Sequence, residues 1–128
     1  MRPYSFEDFH EEAIVYSYFD ENKSEKLLQQ CLLVNPNHPR AHYIRGIILK
    51  AKNDLPGAMQ AYEMAITHYS ASDHFHLNET YNNLGTVFYA MGNSAKAQVA
   101  WEKALLYLPS DEMVKKNLSE FICHRPMN

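Results

Sequence analysis

Small and apolar residues return along this chain at steps of three and four, the spacing that gathers side chains on one side of an α-helix. From Ala58 the order is a small residue, an aromatic four positions on at Tyr62, and an Ala–aliphatic pair at Ala65 and Ile66. Ala97, Trp101, Ala104 and Leu105 repeat that order. Ser24, Leu28, Cys31 and Leu32 carry the same spacing a third time, 34 residues before Ala58. Each stripe needs another helix to cover it: the small residues let two backbones approach, and the aromatic fills the space between them. Gly46 and Gly85 stand twelve residues before Ala58 and Ala97, and each is followed three positions on by a large apolar residue, Leu49 or Phe88. A glycine inside a helix costs about 1 kcal/mol relative to alanine, so its return at matching places marks close contact with a partner helix.

Turn-forming residues fall where helical hairpins require them. Asp20-Glu21-Asn22, Asn53-Asp54 and Gly92-Asn93 lie between paired helices, and Asn35-Pro36-Asn37-His38-Pro39 separates one hairpin from the next. The pattern predicts helices over about 5–19, 23–34, 39–51, 55–69, 76–91, 94–107 and 110–123. The last opens with Ser110-Asp111-Glu112, suited to an N-terminus as cap and as charge against the helix dipole. It carries Val114, Leu118 and Phe121 on one side and Lys115, Lys116 and Glu120 elsewhere, the composition expected of a cover over an end repeat, with a docking helix as the alternative.

Tyr81, Leu84, Gly85, Phe88, Ala97, Trp101, Ala104, Leu105 and Pro109 together resemble the tetratricopeptide signature, a 34-residue helical hairpin. The middle repeat keeps Gly46, Leu49, Ala58, Tyr62, Ala65 and Ile66, with His42, Arg45 and Ser70 at less usual places. In the first, Phe9, Ala13 and Tyr16 take the first-helix positions and Ser24, Leu28, Cys31, Leu32 and Pro36 the second, across a turn one residue shorter than usual. The resemblance implies an all-α fold: a right-handed α-solenoid of three helix-turn-helix repeats, at about 5–38, 39–73 and 78–111, with a capping helix at about 110–123, forming a single domain over 1–128.

Composition narrows the function classes. Twelve Lys and Arg against fifteen Asp and Glu give a formal charge of -3, which leaves no electrostatic footprint for nucleic acid or a membrane surface. No run approaches the ~20 apolar residues of a membrane span. The N-terminal residues have neither an apolar core nor a cleavage site of the secretory kind, so the expected compartment is the cytoplasm. Cys31 and Cys123 lie far apart and suggest neither a disulfide framework nor a Cys-rich zinc site.

The sequence carries no GxSxG, no phosphate-cradling glycine loop and no HExxH, so no catalytic residues and no cofactor are expected. Asp73-His74-Phe75-His76 is the one segment that invites a metal. Two histidines two positions apart share an ion only on extended backbone, and no further ligand is placed by the sequence, so no metal site is expected. The segment belongs to an insertion that puts 39 residues, rather than 34, between Ala58 and Ala97; residues 70–78 are therefore a second candidate contact point.

In the tetratricopeptide family the first helix of each repeat lines the concave side. The resemblance places His10, Ile14 and Tyr18, then Tyr43, Ile47 and Lys50, then Asn82, Asn83, Thr86 and Tyr89 on that groove. Aromatic, aliphatic and amide groups of this kind suit a peptide, though Ile14, Tyr43 and Ile47 could equally be core. Many family members grip the acidic tail of heat-shock chaperones with Lys, Asn and Arg. If the second repeat begins the clamp, Asn83 matches the asparagine and the other places read Tyr43, Ile47, Met113 and Asn117, with no cation to meet a doubly anionic carboxylate. The expected function is a protein-protein interaction module, a scaffold or adaptor holding a peptide or helix of a partner protein, itself a monomer or weak homodimer. The alternatives are a secretion-type chaperone for an unfolded client and a self-assembling structural subunit.

Overall fold

A computed structural model of the chain describes residues 21–124, with six helices and no strand among them. In chain order they are α1 (Glu21–Val34), α2 (Pro39–Ala51), α3 (Leu55–His68), α4 (His74–Ala90), α5 (Ser94–Tyr107) and α6 (Glu112–His124). The helix expected over 5–19 lies outside the described residues. The turn expected at Asp20-Glu21-Asn22 is corrected in its second half, since α1 already begins at Glu21. α4 starts two residues earlier than the pattern predicts, at His74, and α6 two residues later, at Glu112.

Two compact units part between His68 and Tyr69. Each contains one hairpin built to the same plan. In the first, Asn53 adopts a left-handed φ of 63° between α2 and α3; in the second, Gly92 takes φ 81° between α4 and α5. The next residue then caps the second helix. Asp54 Oδ1 accepts from the Gly57 amide at 3.0 Å, and Asn93 Oδ1 accepts from the Lys96 amide at 3.2 Å. These bonds satisfy amides that the first turn of a helix otherwise leaves without partners.

Both hairpins close on a glycine facing an aromatic ring. A Cβ added at Gly46 would stand 2.5 Å from Tyr62 Cε1, and one added at Gly85 would stand 2.6 Å from Trp101 Cδ1 and Nε1. The small residues of the stripes let the helices come this close: Ala58, Ala65, Ala97 and Ala104 are all fully buried. Trp101 Nε1 donates to the Asn82 carbonyl at 3.2 Å, which satisfies the indole inside the second hairpin.

Two ends are fixed by capping chemistry. α2 opens on Pro39, with His38 Nδ1 accepting from the Ala41 amide at 3.1 Å. α6 opens beyond Asp111, whose Oδ1 accepts from the amides of Met113 at 3.0 Å and Val114 at 3.2 Å. Val114 is the fully buried anchor of α6, and Lys115, Lys116 and Glu120 face solvent. In the first unit Leu28 and Cys31 of α1 are buried, and Leu28 and Leu32 line a cleft with Arg45 and Leu49 of α2.

Candidate functional site

The residues predicted for the groove fall into three groups. His10, Ile14 and Tyr18 lie outside the described residues. On α2, Tyr43, Ile47 and Lys50 share one helix face by their spacing, yet their environments differ. Tyr43 is in the core at 4% exposure, its ring 5.8 Å from that of Tyr62 and its other side 4.5 Å from the Arg40 guanidinium. Ile47 is 40% exposed, and Lys50 is half-buried in the last turn of α2.

On α4, Asn82, Asn83 and Thr86 are half-buried and Tyr89 is 49% exposed. Asn82 joins three helices. Its carbonyl accepts from Trp101 on α5, its Oδ1 accepts from Asn117 Nδ2 on α6 at 2.9 Å, and its Nδ2 reaches Met113 Sδ at 3.9 Å. Thr86 Oγ1 donates back to the same carbonyl at 3.1 Å. The amide of Asn82 is thus committed to holding α6, and Asn117, one of the clamp positions, is committed with it. Tyr89 lies beside Trp101, ring centroids 6.1 Å apart, with its outer half open. Of the other clamp positions, Asn83 is half-buried on α4 and Met113 is 66% exposed on α6. The nearest cations in sequence on α6 reach for carboxylates of their own helix, Lys115 to Glu112 at 3.5 Å and Lys116 to Glu120 at 3.9 Å.

The histidines of the insertion are set apart by helix geometry, because α4 begins at His74 and residues two apart on a helix point in widely different directions. His76 Nδ1 lies 2.9 Å from both Asp73 carboxylate oxygens, and its ring stacks on Tyr69 at 5.5 Å. His74 instead meets Tyr107, at 5.7 Å. Among the described residues no group of three or more His, Cys, Asp or Glu side chains is gathered to hold a metal. No helix among them is long and apolar enough to cross a membrane.

Several polar residues have structural roles that the spacing does not assign, His42 among them, although the sequence marks it as an unusual residue of the middle repeat. Asn78 is 4% exposed, and its Nδ2 donates to the Ala104 carbonyl at 3.0 Å, tying α4 to α5. Thr80, fully buried, donates to the His76 carbonyl at 2.7 Å. His42, 8% exposed, donates through Nε2 to the Pro36 carbonyl at 2.8 Å and so ties α2 to the preceding turn. Burial pushes the His42 imidazole below its ordinary pKa; the Pro36 bond opposes the shift, and the charges of His68 and Arg45 add to it. Burial likewise raises the Tyr81 phenol, with Tyr107 stacked on it at 5.9 Å acting in the same direction. Only the polarity of Asn78, Thr80 and His42 at inward helical positions could have marked them in the sequence.

No family model and no curated protein matches the sequence. Solved structures match it over nearly its whole length. MamA superposes with a TM-score of 0.79 at 20% identity, covering 91% of this chain and 66% of its own, so the chain spans just under two thirds of that relative. The first TPR of Spaghetti (RPAP3), bound to the HSP90 peptide SRMEEVD, has a TM-score of 0.81 at 13% identity, covering 92% and 90%. The Arabidopsis OM64 TPR domain has 0.80 at 16% identity, covering 93% and 95%. The helical hairpins of this chain have the tetratricopeptide-repeat fold, and its neighbours over more than nine-tenths of the chain are tetratricopeptide proteins.

Proposed function

We propose that this chain is a non-catalytic protein-binding module that holds a peptide or helix of a partner protein against the first helices of its hairpins. The tetratricopeptide fold is generally a protein-protein interaction module. The observation that carries the reading is made in each hairpin by itself: Ile47 is 40% exposed on α2, which also carries half-buried Lys50, and Tyr89 is 49% exposed on α4, which also carries half-buried Asn83 and Thr86. An aromatic and an aliphatic side chain left out of the core, next to groups able to hydrogen-bond a peptide backbone, is the composition of a binding hot spot. Tyr43 contributes by supporting α2 from the core, and Asn82 by fixing α6 against α4.

Spaghetti holds an acidic heat-shock peptide; this chain has no cation at the matching clamp positions, so its ligand is less acidic and is held mainly by apolar contact and amide bonds. The test begins with affinity capture and mass spectrometry to identify a partner, followed by titration of the purified pair. Ile47→Ala and Tyr89→Ala should each weaken binding by roughly 1–2 kcal/mol, about five- to thirty-fold, while outward Glu102→Ala changes little. Moderate salt should weaken the contact only slightly, since exposed charges are screened beyond ~10 Å at 0.1 M. Full binding by the Ile47→Ala, Tyr89→Ala double variant, with helicity intact by circular dichroism, would refute this placement. The 70–78 insertion and α6 would then be the surfaces to vary.

A further inference from the structure

On the second hairpin, away from the first-helix residues just described, α4 and α5 enclose an apolar groove. Leu84 and Phe88 from α4 and Val99 and Ala100 from α5 line it, and Lys96 and Lys103 stand at its rim. The two ammonium groups lean over aromatic rings, Lys96 Nζ 5.6 Å from the centre of Phe88 and Lys103 Nζ 5.7 Å from that of Tyr81. Among the described residues neither lysine has a carboxylate partner. Val99, at the groove, is 50% exposed.

The hairpin fold does not require this surface. The first hairpin repeats the second at an offset of 39 residues, which superimposes Gly46 on Gly85, Tyr62 on Trp101 and the Asn53 turn on the Gly92 turn. At that offset Tyr81, Leu84 and Val99 correspond to His42, Arg45 and Gln60, while Lys96 and Lys103 correspond to Gly57 and Met64. Identical packing is therefore compatible with a polar surface lacking both lysines. Phe88 and Ala100 correspond to apolar Leu49 and Ala61, so the additions specific to the second hairpin are Tyr81, Leu84, Val99 and the two cations.

We propose that this groove is a second docking site, for an acidic amphipathic helix of a partner protein. Charge complementarity selects the occupant. Lys96 and Lys103 lie seven residues apart on one helix, roughly 10.5 Å at 1.5 Å per residue, and so match two carboxylates two turns apart on a bound helix. Apolar side chains between those carboxylates fill the groove over Val99 and Ala100. Each lysine gains a carboxylate while keeping its contact with a ring, and Val99 leaves water.

The experiment titrates the isotope-labelled full chain, followed by amide NMR, with a synthetic helical peptide carrying two Glu seven residues apart around a Leu pair. A second peptide has Lys in place of both Glu. The acidic peptide should shift the amides around Val99, Ala100 and Lys103, and the Lys peptide should not. The Lys96→Glu, Lys103→Glu variant, folded by circular dichroism, should lose affinity for the acidic peptide by about tenfold or more and gain affinity for the Lys peptide. Three results would overturn the proposal: no shifts at the groove up to about 1 mM peptide, equal binding of both peptides, or unchanged affinity in the charge-reversed variant. Shifts confined to Asn83 and Tyr89 would also overturn it, by assigning the peptide to the first-helix surface.

Discussion

Replacing Gly85 by alanine sets two effects of known size against each other. Helix propensity alone makes Gly85→Ala stabilising by about 1 kcal/mol. Against this, the new Cβ stands 2.6 Å from Trp101 Cδ1 and Nε1 and 2.9 Å from Cε2, where ordinary contact begins at 3.4 Å, so the ring must retreat by about 0.8 Å (3.4 − 2.6). Trp101 is 4% exposed, and it is held on its other sides by the Asn82 carbonyl and the Tyr89 ring. Overpacking of this kind costs about 1–3 kcal/mol, and stretching the indole hydrogen bond adds about 1 kcal/mol. The sum favours destabilisation, with a net loss of about 1–3 kcal/mol after the propensity gain.

The assay is urea unfolding followed by far-UV circular dichroism on four proteins: the parent, Gly85→Ala, Trp101→Leu and the double variant. Because the clash needs the indole, Gly85→Ala should cost little once Trp101 has been truncated, giving a coupling of at least about 1 kcal/mol. If Gly85→Ala is neutral or stabilising, or if the two changes add within about 0.5 kcal/mol, the close approach of α4 and α5 is not as described.

Other expectations follow from single contacts. Asn78→Ala removes the side-chain bond to the Ala104 carbonyl, which keeps the Leu108 amide as a donor at 3.1 Å, and should cost about 0.5–1.5 kcal/mol, read by the same unfolding curves. Ala104→Leu, at a fully buried position, should overpack the second hairpin by about 1–3 kcal/mol; an unchanged melt would mean a wrong register. Because burial lowers the folded-state pKa of His42, the unfolded chain binds the extra proton first. The His42 contribution is therefore complete above its ordinary pKa of 6.5 and is lost as pH falls from there through the depressed folded value. His42→Gln should remove that part of the slope between pH 7 and 5 in a stability-against-pH series, and an unaltered slope would refute the assignment. Lys52→Ala breaks an ion pair with Glu25 whose side chains are about one-third exposed and should cost no more than about 1 kcal/mol.

The hairpins were legible in the sequence because packing at a helix crossing restricts residue size. Gly46, Gly85, Ala58, Ala97, Tyr62 and Trp101 have few alternatives where two backbones approach closely, and their spacing specified α2 to α5 to within about two residues at each end. The start of α4 was misplaced because His74 and Phe75 look like loop residues. In the structure Asp73 precedes the helix, and its carboxylate holds His76. Surface roles were less legible, since spacing assigns a face and not an exposure. Tyr43 and Ile47 occupy one stripe, yet Tyr62 and Arg40 enclose Tyr43 while Ile47 is left partly in water. Asn82 illustrates the same limit: its role is to bind Asn117, 35 residues away, a partner that no local pattern specifies.

Two hairpins of one design within a single chain separate what the fold requires from what it merely permits. The glycine–aromatic contact, the left-handed turn residue and the capping Asp or Asn appear in both, so they are explained by stability alone. Positions that differ between the copies escape that explanation. Gln60 and Val99 correspond in the fold, and exposing an apolar side chain at Val99 in place of a polar one gains nothing for the isolated chain. A half-exposed valine beside two lysines that lack carboxylate partners among the described residues is the surface assigned above to a second molecule. The same reasoning applies to Tyr89. Its counterpart at the 39-residue offset is Lys50, so the fold accepts a charged residue where the second hairpin presents an aromatic ring. Both departures lie on the second hairpin, on α4 and α5, and Val99→Gln, which restores the residue of the first hairpin, should change binding while leaving the unfolding curve in place.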